Sequence, residues 1–150
     1  MKLGSKGRYA VMAMVDLGVH GRDRTVSLAE IAERQEISLS YLEQLFSKLR
    51  RGGLVSSVRG PGGGYRLARR VGDITILEVV DAVDESLRVT RCKEEASPTE
   101  GCMQNRSRCL THDLWEDLGD HIRSFLHDVS LEDVCERRLC PARADLLAAE

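Results

Sequence analysis

Apolar residues recur with helical spacing through the first fifty residues of the chain. Residues 9–19 are almost entirely apolar, which predicts a buried helix. Ser27 and Glu30 have the spacing of a capping box, so a second helix is expected to begin there. A third helix begins at Ser38 or Ser40, repeats apolar residues at offsets of 0, 3, 4 and 7, and ends at a glycine pair.

About three residues separate the second and third helices, and so tight a connection is typical of a helix-turn-helix. The third helix is polar opposite its apolar stripe, and we expect that polar face to contact DNA. Its residues are Ser40, Glu43, Gln44, Ser47, Lys48 and Arg51. Because Ser40 and Glu43 also have capping-box spacing, the alternative is that Glu43 only caps its helix.

Four glycines and a proline lie within the stretch VRGPGGGYRL, residues 58–67. A phosphate-binding P-loop needs a lysine and a hydroxyl residue after its glycines, but Tyr65 and Arg66 follow them here. Because β-prone residues flank the glycines, we predict a hairpin, the wing of a winged helix-turn-helix domain. Its expected DNA contacts are Arg59, Gly60, Pro61 and Arg66, with Arg59 suited to a narrow minor groove. A surface hairpin without a ligand is the alternative.

A long amphipathic helix is predicted to begin near Thr111, after a shorter helix that starts at Thr75 and a polar loop over about 88–108. Its apolar stripe is formed by Leu114, Trp115, Leu118, Ile122, Phe125 and Leu126, and continues to Val129. This stripe is too continuous for a lone exposed helix, so we expect it to pack on a second copy of the chain. Packing on its own domain is the alternative.

Charge divides the 150-residue chain into a basic and an acidic half. Residues 1–70 hold 13 lysines and arginines against 6 acidic residues, whereas residues 71–150 hold 9 against 18. The basic half favours a polyanionic partner, and the acidic half argues against a membrane surface. Because no signal peptide or membrane-spanning run is evident, we expect a cytoplasmic protein. No nucleophile–base pattern is visible either, so we predict that it is not an enzyme.

All five cysteines lie in the acidic half, where they favour metal binding or redox chemistry over disulfides. Cys92, Cys102, Cys109 and His112 have nine, six and two intervening residues, and three thiolates with one imidazole suit zinc or a [2Fe–2S] cluster. The absence of a short cysteine knuckle gives a preference for the iron–sulfur cluster. Cys135 and Cys140 are either spare thiols or exchange partners for a ligand.

Several motifs resemble the bacterial winged-helix regulators of the IscR, NsrR and CymR family over about residues 1–131. They are LGSKGRYAVMAM, ISLSYLEQLFSKLRRGGLVSSVRGPGGGY, AVDES and RCLTHDLWEDL. The resemblance implies a homodimer built on the long helix, with a [2Fe–2S] cluster that tunes DNA choice and is held by Cys92, Cys102, Cys109 and His112. It also implies DNA reading by Ser40, Glu43, Gln44, Arg59 and Pro61, with Glu43 distinguishing the cluster-free and cluster-bound forms. The loop from Cys92 to Cys102 is longer here than in those proteins.

The predicted fold is mainly α with a small β-hairpin. Residues 1–85 are expected to form the winged helix-turn-helix domain, 86–110 a cysteine-bearing loop, 111–134 the dimerisation helix region, and 135–150 a tail of unknown role. We predict a transcriptional regulator of iron–sulfur cluster biogenesis genes that binds promoter DNA as a homodimer and receives its cluster from iron–sulfur assembly proteins. The alternatives are a zinc-stabilised or protein-contact-regulated repressor, a nitric-oxide or redox sensor, and an iron–sulfur carrier without specific DNA binding.

Overall fold

Six helices and one antiparallel hairpin form the described part of the protein. The computed structural model describes residues 4–87, 89, 103 and 107–139. The elements are α1 (Ser5–His20), α2 (Leu28–Gln35), α3 (Leu39–Arg51), β1 (Val55–Val58), β2 (Gly64–Leu67), α4 (Ile76–Ala82), α5 (His112–Asp128) and α6 (Leu131–Cys135). A single 3₁₀ turn, Val71–Asp73, connects β2 to α4.

Helix α1 is the centre of the core, and it packs against α2, α3, α4 and α6. Ala10, Met14 and Leu17 are completely buried, in agreement with the apolar run from which the helix was predicted. The helix begins at Ser5, earlier than residue 9, because the Glu85 carboxylate accepts hydrogen bonds from the backbone N–H groups near its start. The two bonds come from Gly4 (3.2 Å) and Gly7 (3.1 Å).

The helix-turn-helix consists of α2 and α3, each with a serine at its N-terminus. The predicted capping box of α2 is present: Ser27 N–H donates to Glu30 (2.8 Å), and Glu30 N–H donates to the Ser27 hydroxyl (3.3 Å). The Ser27 backbone bond, together with Arg24, lowers the pKa of Glu30 to about 2. Glu36, the residue after α2, has a left-handed conformation (φ 54°), and the next residue, Ile37, is buried.

Ser38, and not Ser40, caps helix α3. The Ser38 hydroxyl accepts a hydrogen bond from Tyr41 N–H (3.4 Å), and its carbonyl accepts one from Leu42 N–H (3.0 Å). Ser40 therefore lies inside the helix, and the capping box considered for Ser40 and Glu43 does not form. The alternative that Glu43 only caps its helix is wrong, and its exposed carboxylate has no role in the helix start.

The wing is a two-stranded antiparallel sheet. An isolated β-bridge attaches it to the rest of the domain. Strands β1 and β2 are antiparallel, with Val55 opposite Leu67. Val26 and Tyr65 exchange two backbone hydrogen bonds of 2.9 and 2.7 Å, which attaches the hairpin to the segment before α2. At Gly64 (φ 155°) a Cβ atom would lie 2.6 Å from the Val26 carbonyl oxygen, so this close pairing requires glycine.

The chain returns to the core after α5. Val129 and Leu131 are buried; Ile76 N–H donates to the Val129 carbonyl (2.9 Å), and Leu131 N–H donates to that of Ile74 (2.8 Å). Helix α6 then packs on α1. Residues 129–135 thus complete the core of the winged domain, an arrangement that the sequence pattern did not predict. The capping box of Ser130 was its one local signal.

The mainly helical fold with one antiparallel hairpin confirms the predicted winged helix-turn-helix class. The long helix that was predicted from the apolar stripe is also present as α5.

Replacing Ser38 by alanine is expected to lower the free energy of unfolding by about 1 kcal/mol, because the first turn of α3 loses its capping hydroxyl. Ser40→Ala is the matched control and should change stability by only a few tenths of that amount. Urea unfolding at neutral pH measures both changes. Equal losses in the two variants would contradict the assignment of Ser38 as the cap.

Candidate nucleic-acid interface and metal centre

Helix α3 presents a polar face to solvent opposite its buried stripe. Leu42, Leu45, Phe46 and Leu49 point into the core and are at most 2% exposed. The residues predicted to contact DNA share the opposite face; four of them are exposed and two are half-buried. The exposed residues are Ser40, Glu43, Gln44 and Arg51, and the half-buried ones are Ser47 and Lys48.

The wing extends beside α3 with its predicted contact residues exposed. The Tyr65 ring packs edge-on against Phe46 of α3, with ring centroids 4.9 Å apart. At the tip, the Thr25 hydroxyl donates to the Gly62 carbonyl (2.5 Å), so the glycine-rich turn is attached to the domain. The exposed residues of the wing include Arg59, Gly60, Pro61 and Arg66. The helix and the wing therefore form one continuous surface.

Lys48 forms an ion pair with Asp84, which the sequence pattern did not predict. Its Nζ atom lies 2.7 Å from Asp84 Oδ2, at the end of α4. The ammonium group of Lys48 lowers the pKa of Asp84, so this carboxyl stays ionised below its ordinary range. An exposed pair contributes little to stability, but it does neutralise one cation on the predicted DNA-facing surface.

Two of the four predicted metal ligands lie at the start of α5, and the other two, Cys92 and Cys102, lie outside the described residues. Cys109 and His112 are three residues apart, and His112 N–H donates to the Cys109 carbonyl (3.1 Å). His112 Nδ1 is buried without a hydrogen-bond partner among the described residues, whereas Nε2 lies 3.7 Å from a Glu116 oxygen. A buried imidazole nitrogen without a partner suits a metal ligand, so His112 fits the predicted centre.

Three charged side chains that the sequence motifs did not indicate lie around His112. Asp113 and Glu116 place carboxylate oxygens within 4.8 Å of an imidazole nitrogen. Arg108 lies 3.3 Å from Asp113 and 3.0 Å from Glu116, and its guanidinium offsets their charge. The spacing of His112 and Glu116, four residues apart on one helix, was the signal that could have indicated this contact.

The apolar stripe of α5 divides between solvent and the core. Leu114 is 59% exposed, Trp115 41% and Phe125 63%. Three further residues are half-buried: Leu118, Ile122 and Leu126. Leu126 packs against the hydrophobic core of its own chain, so the alternative of packing within the domain describes this end of the stripe. Leu114, Trp115 and Phe125 are the solvent-exposed part of this face in the single chain.

Cys135 lies at the end of α6, against helix α1. Its Sγ atom is 3.7 Å from the Val15 carbonyl oxygen, and burial raises the pKa of the thiol. A Cβ atom added at Gly18 would lie 3.0 Å from this sulfur, so the thiol fills space beside α1. Cys140 lies outside the described residues.

The helix-turn-helix, the attached glycine-rich wing and the exposed polar face of α3 together define a winged helix-turn-helix transcription regulator. A family model described as an iron-dependent transcriptional regulator, Rrf2, matches residues 3–137. The chain therefore belongs to the Rrf2 family.

Curated relatives carry the same class of function. The chain is 58% identical to the HTH-type transcriptional regulator IscR of Xenorhabdus nematophila over 138 residues, which are 92% of this chain and 81% of that protein. It is also 58% identical to IscR of Photorhabdus laumondii, over 89% of this chain and 79% of that one. These names confirm the prediction of a DNA-binding regulator that is not an enzyme.

Solved structures support the fold independently. The global cysteine regulator CymR of B. subtilis superposes with a TM-score of 0.74 at 30% identity, covering 91% of this chain and 98% of that one. IscR of T. potens gives the same TM-score at 36% identity, covering 92% and 88%. Among the described residues, no helix combines the length and apolarity needed to cross a membrane.

Replacing Asp84 by asparagine is expected to release Lys48 and to strengthen non-specific binding to duplex DNA. One freed lysine steepens the dependence of log affinity on log salt by up to about one unit per bound chain. Fluorescence anisotropy of a labelled mixed-sequence duplex across a salt series measures this slope. Asp81→Asn is the matched control, because Asp81 pairs with Arg123 of α5 (3.3 Å) and not with α3. An unchanged slope in Asp84→Asn would show that Lys48 does not reach DNA.

Proposed function

We propose that this chain is a homodimeric regulator of iron–sulfur cluster biogenesis genes whose choice of operator depends on a bound [2Fe–2S] cluster. Its ligands are Cys92, Cys102, Cys109 and His112. The observation that carries this proposal is the buried Nδ1 atom of His112, which has no hydrogen-bond partner among the described residues. Its similarity to relatives named IscR supports the same assignment.

DNA recognition in this proposal uses two surfaces with different roles. The exposed face of α3 enters the major groove, where Gln44 can bind adenine and the Glu43 carboxylate can accept a hydrogen bond from cytosine. Glu43 also repels phosphate, so it selects sites partly by exclusion. Arg59 at the wing tip inserts its guanidinium into a narrow minor groove. Because Ser38 supplies the cap, Glu43 is available for this reading.

A [2Fe–2S] cluster, when bound, would supply an oxidation-sensitive group whose assembly requires iron. Two contacts of the winged domain lie just before the ligand segment in the sequence. Asp84 holds Lys48 of α3, and the next residue, Glu85, caps helix α1. Cys92 follows Glu85 by only seven residues in the sequence. We infer that the cluster influences DNA choice through these two contacts.

Removing the imidazole ligand tests the metal centre. His112→Ala is expected to remain folded and to bind DNA in its cluster-free mode, but to hold much less iron and sulfide after anaerobic reconstitution. His112→Cys should regain a cluster, because a thiolate replaces the imidazole. His121→Ala is the matched control on the same helix, where the His121 ring already contacts the Asp117 carbonyl (2.8 Å). Iron, sulfide and zinc analysis with visible spectroscopy measures all three variants.

Full iron content and an unchanged spectrum in His112→Ala would place the fourth ligand elsewhere. Zinc without sulfide in the wild-type protein would instead support the zinc-stabilised alternative.

We also infer that two copies of the chain pair through the exposed apolar face of α5. A Leu114→Glu/Phe125→Glu double variant should shift the protein from dimer to monomer, because carboxylates would have to be buried in the interface. Light scattering during size-exclusion chromatography measures the mass. Ser124→Glu adds a carboxylate at the neighbouring exposed position and should leave the dimer intact. A double variant that stays dimeric would refute this interface.

A further inference from the structure

Leu39, the first residue of α3, is an exposed apolar residue beside the polar face of the helix. It is 44% exposed and is not among the residues that pack against the hydrophobic core. Leu42, about one turn later, is completely buried. Because Leu39 keeps so much of its apolar surface in water, it contributes little to the folding of the single chain.

The edge of α3 that faces the wing begins at Leu39. Glu43 and Arg50 follow Leu39 at offsets of 4 and 11, so the three residues share one edge of the helix. Arg50 Nη1 lies 3.5 Å from the Ser57 hydroxyl oxygen of β1. This edge therefore contacts the wing near the C-terminal end of α3, and it is exposed at the end that carries Leu39 and Glu43.

The direction of the Leu39 side chain follows from its place in the first turn. Cα–Cβ bonds in an α-helix tilt toward the N-terminus, so a side chain in the first turn extends past the start of the helix. Recognition helices of helix-turn-helix proteins contact base edges through their N-terminal residues. With α3 in the major groove, Leu39 approaches the bases together with Ser40 and Glu43.

The major groove offers one apolar group to such a side chain. Base edges there present hydrogen-bond donors and acceptors, and the apolar exception is the C5-methyl group of thymine. Deoxyribose carbons offer apolar surface along the backbone, but Leu39 lies one turn from Glu43, whose carboxylate repels phosphate. This neighbour favours a contact with a base over a contact with the backbone.

We propose that Leu39 is a specificity-determining residue that contacts the C5-methyl group of a thymine in the major groove. The inference rests on the proposed placement of α3, and it adds an apolar contact to the hydrogen bonds proposed for Glu43 and Gln44. Leu39 favours thymine over cytosine at its position, because cytosine lacks the methyl group.

Replacing thymine by deoxyuridine tests the contact, because deoxyuridine pairs with adenine in the same way and lacks only the methyl group. The probe is a duplex that the cluster-free 150-residue chain selects from a random-sequence library, with each thymine replaced in turn. We expect at least one position at which wild-type affinity falls about fourfold, the effect of one buried methyl group. Fluorescence anisotropy at fixed salt measures each affinity.

Three variants separate the methyl contact from general effects. Leu39→Ala should bind the thymine and deoxyuridine duplexes equally at that position, and it should fold because alanine is a strong helix former. Leu39→Met keeps an apolar side chain of similar volume and should keep the preference for thymine. Val19→Ala is the matched control, because Val19 is 45% exposed on α1, and it should leave the affinity and the preference unchanged.

Three outcomes would overturn the proposal. Wild-type protein that is insensitive to every deoxyuridine makes no methyl contact. A fourfold preference retained in Leu39→Ala would assign the methyl contact to another residue. An affinity loss in Leu39→Ala that is equal for thymine and deoxyuridine would place Leu39 on the DNA backbone.

Errors in the proposed function give different results. Because the cluster-free chain is used, a failure to assemble a cluster leaves this test intact. If α3 did not enter the major groove, Gln44→Ala would leave the preferred sequence unchanged, and the Leu39 contact would be wrong together with the placement of the helix. A changed preference in Gln44→Ala without any methyl dependence would overturn the Leu39 contact alone.

Discussion

One buried carboxylate fixes the arrangement of the first two helices. Asp16 of α1 is 3% exposed, and it accepts hydrogen bonds from the Arg34 guanidinium (3.0 and 2.7 Å) and from the Gln35 amide (2.8 Å). Desolvation opposes ionisation, but these donors outweigh it and hold the pKa of Asp16 below its ordinary value. Loss of Arg34 would leave the buried carboxylate with the Gln35 amide as its one side-chain donor among the described residues, which destabilises the fold. The position of α2, and through its tight turn that of α3, depends on this pair.

The second constraint is the closure of the domain by distant backbone pairing. Val26 forms backbone hydrogen bonds with β2. Ile74 and Ile76 form backbone hydrogen bonds with the segment after α5. Each pairing satisfies backbone groups that burial would otherwise leave without partners. The domain that carries the polar surfaces of α3 and the wing is therefore held together by these two long-range backbone pairings.

Local signals explain what the sequence could predict. The capping pattern at Ser27 and the glycines of the wing act within a few residues, so helix starts and the hairpin follow from short stretches. The choice between Ser38 and Ser40 does not follow from the capping pattern, because either serine can cap a helix. Helix α6 has only five residues, and its burial depends on α1, more than 100 residues earlier.

Some contacts in the candidate sites follow from short sequence spacing, whereas others depend on tertiary packing. Cys109 precedes α5 by three residues and its carbonyl accepts a hydrogen bond from His112 N–H, a short-range contact that spacing alone could predict. The pairing of Lys48 with Asp84 spans 36 residues and depends on how α3 packs against α4. The roles of Cys92 and Cys102 stay predictions, as do the individual DNA contacts.

Helix α5 is attached to the core at one end and carries the imidazole at the other. Its 17 residues span about 25 Å, at about 1.5 Å per residue. Val129, just past its C-terminal end, is buried, whereas the helix begins at His112. A rigid rotation of the helix about its Val129 end would therefore displace His112 farther than any other residue of the helix. A shift of about 1 Å at His112 corresponds to a rotation of roughly two degrees over that length.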